Sequence, residues 1–155
     1  MTFGKFRFVD LGDLTQDREF EMACPLNRIG PVDLYLTTHH GAALSGAEVL
    51  VHALKPRVAI MNNGARKGGD AAAIQIVRRS PGLQDLWMMH YAVAAGTADP
   101  TLNVPAEFIA NAEESADPAT VNDKGFGISV SADADGSFTV TNERNKLTKS
   151  YKPAR

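Results

Sequence analysis

Val32-Asp33-Leu34-Tyr35-Leu36-Thr37-Thr38-His39-His40-Gly41 is a β-favouring run that stops in two histidines and a glycine. Leu, Tyr and Thr suit a pleated, largely buried strand. The imidazoles then fall at a strand's C-terminal end, where α/β sheets build their sites. Imidazole is the commonest protein metal ligand and titrates nearest neutral pH. Adjacent residues on an extended strand point to opposite faces, so both histidines reach one ion only if the chain turns between them.

Working outward, Phe3, Phe6, Phe8 and Val9 set the pattern of an opening strand over residues 3–9, ended by Asp10-Leu11-Gly12-Asp13-Leu14. Thr15, Gln16 and Asp17 offer N-cap chemistry for a short helix, Arg18 to Cys24. After the histidines, Ser45 with Glu48 three residues on reads as a capping box. Val49, Leu50, Ala53 and Leu54 mark the buried face of the helix it starts. Val58 to Met61 is a short apolar strand ended by the Asn62-Asn63-Gly64 turn. Asp70 caps a third helix, with Ala73, Ile74, Ile76 and Val77 inward, and Leu86 to Tyr91 reads as the next strand. This alternation predicts parallel βαβαβ units with right-handed crossovers. Ala94 to Asp123 reads as a long surface loop with an ordered piece at Phe108-Ile109. Phe126, Ile128 and Val130, the Asp133-Ala134-Asp135-Gly136 turn, then Phe138 and Val140 predict a C-terminal antiparallel hairpin.

At 155 residues the chain suits one domain, 1–155, with a real core. Hydrophobic residues at 44% against 22% charged exclude a disordered composition. A net charge of -2 and a pI near 6.1 give no overall electrostatic case for nucleic acid. One cysteine, Cys24, excludes an internal disulfide framework and reads as a small buried apolar residue. No apolar run approaches the ~18 residues of a membrane span. The N-terminus has no apolar h-region, so no signal peptide is expected and the default location is cytoplasmic.

Asp13 and the His39-His40 pair form the strongest constellation. If their strands run parallel in one sheet, a carboxylate and an imidazole open on the same edge, as a Zn²⁺, Mn²⁺ or Fe site requires. His52 lies inside a helix pattern and reads as packed, whereas His90, near a strand end, is a second candidate. Asn62-Asn63-Gly64-Ala65-Arg66-Lys67-Gly68-Gly69 precedes a helix and could hold an anion through Arg66 and Lys67, or be a solvated turn.

A strand ending in Gly12-Asp13, and a following strand ending in His39-His40-Gly41, resemble the second half of the metallo-β-lactamase fold. The branch most similar is the hydrolase-like domain of DNA-uptake (competence) proteins. Val58-Ala59-Ile60-Met61-Asn62-Asn63-Gly64 and the final hairpin extend the resemblance over most of residues 3–150. It implies an αββα sandwich and a hydrolytic site of one or two metals, zinc first, with Mn or Fe as alternatives. It also implies that Asp13 bridges two metals and that the histidine after the next strand completes the second metal's shell. His39 is the first choice for that role and His40 the second, so Asp13 and His39 are the implied catalytic pair.

The family's His-x-His-x-Asp-His signature belongs to the first half and is absent from this sequence. The chain therefore resembles a C-terminal half, and three functions follow. It supplies part of a metal-dependent hydrolase acting on a phosphodiester, nucleic acid included, or on an ester, lactam or lactone. Alternatively it is a non-catalytic remnant or binding module, or a phosphate binder working through Arg66 and Lys67. The expected partners are a small-molecule or phosphodiester substrate, and a second copy or the missing N-terminal half.

Overall fold

The computed structural model describes residues 1–113 and 124–153. Side-chain alternation along four strands sets the layers. These are β2 (Phe6–Val9), β3 (Leu34–Leu36), β4 (Val58–Met61) and β5 (Asp85–His90). Val9, Tyr35, Ala59, Met61 and Met88 enter one core, whereas Phe6, Leu34, Val58, Ile60 and Trp87 enter a second on the opposite face. A period of two with apolar residues on both faces is the mark of a sheet covered on both sides. The short β1 (Thr2–Phe3) and β6 (Ile109–Asn111) complete a six-stranded sheet in the order β1-β2-β3-β4-β5-β6. β1 pairs antiparallel with β2; every other pair is parallel, with Phe8 opposite Leu34, Tyr35 opposite Ala59 and Ile60 opposite Trp87.

Helices α1 (Gln16–Ala23), α2 (Glu48–Leu54), α3 (Ala71–Arg78) and α4 (Val93–Ala98) contribute Ala23, Leu50, Leu54, Ile74, Val77 and Ala95 to the first core. The second core is closed by an antiparallel sheet of β7 (Ile128–Ala132), β8 (Phe138–Asn142) and β9 (Thr148–Tyr151). Phe138 packs on Phe6 and stacks on Tyr151, with ring centroids 5.2 and 4.7 Å apart. Polar atoms reinforce this seam. Trp87 Nε1 donates to Tyr151 Oη at 3.2 Å, and that hydroxyl donates to Asp85 Oδ2 at 2.7 Å. The result is an α/β chain with a mostly parallel mixed sheet between a helical layer and a separate antiparallel sheet. No helix among the described residues is long and apolar enough to cross a membrane.

Several local expectations are corrected. The opening strand is two strands, because Gly4-Lys5 turns and Phe3 pairs back on Phe6. The Ser45–Glu48 capping box does not form, because α2 begins at Glu48, one residue after its cap, Ala47. Ser45 Oγ instead donates to Leu14 O at 2.6 Å, and the helix start is held by Glu19 Oε2, which accepts from Ala47 N–H at 2.7 Å. On α2, Val51 is inward with Leu50 and Leu54, and Val49 is exposed. The expected loop from Ala94 contains most of α4, two 3₁₀ turns and β6; its remainder, residues 114–123, lies outside the described residues. The C-terminal hairpin forms as expected, with Gly136 at φ +93°, and gains the unexpected β9.

Candidate functional site at the C-terminal edge of the sheet

β2 and β3 are adjacent and parallel, so the segments that follow them leave from the same edge. The first carries Asp13 and the second His39 and His40. The backbone couples them, since His39 N–H donates to Gly12 O at 2.8 Å. Beyond β3 the chain does not stay extended. Thr38–Gly41 is a tight turn in which His39, His40 and Gly41 all have positive φ, at 50°, 59° and 73°. A left-handed conformation costs an L-residue about 1–2 kcal/mol, and such outliers concentrate at functional sites.

Buried anchors hold the turn. Thr38 is fully buried, its N–H donates to the Tyr35 hydroxyl at 3.0 Å, and the two hydroxyls lie 2.9 Å apart. Burial pushes the Tyr35 hydroxyl from 10.0 up to about 12; Thr38's hydrogen bonds oppose this, and the Glu19 and Asp10 carboxylates add to it. On the far side, Gly69 N–H donates to His40 O at 3.0 Å and Asp70 N–H to Gly41 O at 2.9 Å. A Cβ at Gly68 would overlap the His40 carbonyl, so only glycine lets the 62–69 loop approach this closely.

The turn sends the two imidazoles to different neighbours. His40 Nε2 lies 4.0 Å from Asp13 Oδ1. Its Nδ1 is 2.9 Å from Asn62 O, and because a carbonyl only accepts, Nδ1 carries the proton. In neutral His40 this leaves the Nε2 lone pair on the Asp13 side, the arrangement in which a backbone carbonyl fixes a metal-binding tautomer. His39 Nδ1 lies 3.3 Å from Ser45 Oγ, whose proton goes to Leu14 O. The histidine rings stand 6.3 Å apart, centroid to centroid. His40, rather than His39, is the imidazole brought to Asp13. Among the described residues no three His, Cys, Asp or Glu side chains are grouped to hold one ion.

The other candidates are placed as follows. His90, at the end of β5, donates from Nδ1 to Asn63 O at 2.8 Å, and Asn63 Nδ2 returns a bond to His90 O at 2.8 Å. His52 packs on the helix layer, with Nε2 at 3.1 Å from Ile76 O and Nδ1 at 3.6 Å from Glu48. Cys24 is partly buried against the helix-side core. Arg66 and Lys67 are exposed on the 62–69 loop. The sequence reading placed Asn62 only in the 62–69 loop candidate and missed that its carbonyl orients His40; a backbone acceptor just past a neighbouring strand leaves no mark in residue type.

His40, Asn62, Asn63, Lys67 and His90 also stand at the polar end of a cleft of about 910 Å³ between the two sheets. Compared with family models, curated proteins and solved structures, the chain has no match in any of the three.

Proposed function

We propose that the chain is the C-terminal half of a metal-dependent hydrolase domain of metallo-β-lactamase type. It contributes Asp13 and His40 to a mono- or dinuclear centre completed by a complementary half. The observation that carries this reading is the Asp13–His40 pair. Two consecutive parallel strands deliver a carboxylate and an imidazole to 4.0 Å, with the imidazole tautomer set by Asn62 O. Tetrahedral bonds of about 2.1 Å put two zinc ligands about 3.4 Å apart, so the pair would close by roughly half an ångström on a shared ion. The helix–sheet–sheet layering supports the same reading, as half of an αββα sandwich.

Alone, this donor pair does not fit catalytic zinc, which takes three protein ligands. The isolated chain is therefore expected to hold zinc weakly and to hydrolyse nothing above background. The substrate of the completed site is a phosphodiester, nucleic acid included, or an ester, lactam or lactone. A second reading, a binding module that keeps the fold without a complete centre, is favoured by the lack of a three-ligand group among the described residues.

Zinc competition against a chromophoric chelator separates them. The hydrolase reading expects weak, saturable binding that Asp13→Ala and His40→Ala each abolish. Unchanged uptake in both variants contradicts it, and so does tight one-to-one zinc with turnover by the chain alone. No uptake by the wild-type chain favours the binding module.

A further inference from the structure

The cleft between the sheets has a chemistry of its own. One long wall is the mixed sheet, through Phe8, Leu36 and Ile60; the other is β7, through Ile128 and Val130. Its volume, about 910 Å³, lies in the range of small-molecule sites, about 300–1,000 Å³. The walls are mostly apolar; besides Met1 and Thr2 along the β1 side, the polar lining residues His40, Asn62, Asn63, Lys67 and His90 gather at one end.

That end is built to meet an anion. Asn62 lines it, and its Oδ1 accepts from Thr37 Oγ1 at 3.2 Å, which fixes the amide and leaves Nδ2 as a donor with no hydrogen bond among the described residues. Lys67 lines the same end, is exposed, and forms no ion pair among the described residues. One ammonium and one amide N–H₂ together match the two oxygens of a carboxylate. Asp13, the carboxylate beside His40, is not among the lining residues, and no ion pair joins it to Lys67.

We infer that the cleft binds a single-chain amphiphile with a carboxylate head. The head is held at Asn62 and Lys67, and the tail lies between the Phe8-Leu36-Ile60 wall and β7. This goes beyond the metal reading, requires no metal, and holds under either reading of the Asp13–His40 pair. The two differ in what they need: a zinc centre needs lone pairs, and the amphiphile head needs hydrogen-bond donors and positive charge.

The test is a fluorescence titration of the whole chain with cis-parinaric acid in EDTA. It is followed by displacement with dodecanoate, dodecanol and dodecyltrimethylammonium. The expected result is saturable one-to-one binding, with dodecanoate displacing the probe about tenfold better than the other two. Lys67→Glu should weaken dodecanoate about tenfold and leave dodecanol unchanged. Val130→Trp, at an exposed position on β7, should fill the tail path and remove binding of both. Equal displacement by all three ligands, or no saturable binding, overturns the proposal. So does a dimer by light scattering that Val130→Lys converts to monomer, since a second copy then occupies the cleft. Because EDTA strips metal, failure here leaves the zinc reading standing, and failure of the zinc titration leaves this one standing.

Discussion

The two faces of the mixed sheet are closed in different ways. The helix face is sealed by short amphipathic helices that follow their strands in the chain, and residues such as Tyr35, Leu50, Val51, Leu54 and Ile74 have no exposure. The opposite face depends on a sheet built from the last strands of the chain, and it is sealed most fully where β8 and β9 lie on it. Trp87, Phe138 and Val140 are buried there, but Val130 of β7 remains 37% exposed over the cleft. Local crossovers cover a face completely, because each helix must return over the strands it connects. A hairpin added from far along the chain covers what its own length reaches, and here the remainder is left as a slot beside the histidine turn.

Core deletion should separate the sealed and open parts of that face most strongly. Trp87→Ala removes a fully buried ring that packs on Phe108 at 4.8 Å and bonds Tyr151. It should cost about 3–5 kcal/mol in urea denaturation. Leu36→Ala, on the half-buried cleft wall, should cost less than half of that. Equal losses would mean that the cleft is closed in solution, and the contrast between the two parts would disappear.

The helix face carries a pH signature. Tyr35 titrates at about 12 when folded against 10.0 unfolded, so folding favours its protonated form. A raised value gives stability that is complete below pH 10 and is lost as pH rises towards 12, roughly 3 kcal/mol in all. Tyr35→Phe should remove that alkaline loss. At neutral pH it should cost about 1–3 kcal/mol, because the buried Thr38 N–H loses its acceptor. Denaturation midpoints of both proteins at pH 8 and pH 11 check this; identical alkaline loss in the variant would show that Tyr35 is not its source.

Smaller effects belong to the covering hairpin. Gly136→Val places a β-branched residue at φ +93° and should cost about 1–2 kcal/mol. A melting temperature equal to wild type would mean that the turn can relax. Val130→Lys, at a half-open position, should change stability by no more than about 0.5 kcal/mol. A larger loss would show that the β7 side of the cleft is sealed more tightly than its exposure indicates.

These regions also differ in how readily the sequence discloses them. The parallel strands are legible because Leu34 to Leu36 and Val58 to Met61 are apolar runs set between helical patterns. The C-terminal hairpin is legible because Asp-Gly sits between alternating residues. β9 is not, since Thr148-Lys149-Ser150-Tyr151 sends a single large apolar side chain inward. Nor is α4, where Val93-Ala94-Ala95-Gly96-Thr97-Ala98 has little apolar periodicity and an interior glycine. At the site, the convergence of Asp13 with a histidine follows from strand order alone. Which histidine converges does not, because it depends on two left-handed residues and on the Asn62 carbonyl, and neither is encoded by local propensity. The cleft is invisible in sequence, since it arises from how far one sheet overlaps another.

The pairing of His40 with Asp13 is the claim on which the hydrolase reading stands, and the imidazole nitrogens report it directly. Long-range ¹H–¹⁵N spectra of ¹⁵N-histidine-labelled protein, recorded during a zinc titration, should show the neutral form of the His40 ring with its proton on Nδ1 rather than Nε2 before metal is added. The His40 Nε2 resonance should then move on zinc binding, the His39 resonances should hold still, and Asp13→Ala should abolish the response. Movement of His39 Nε2 with His40 unmoved, or a zinc response that survives loss of Asp13, would contradict the account.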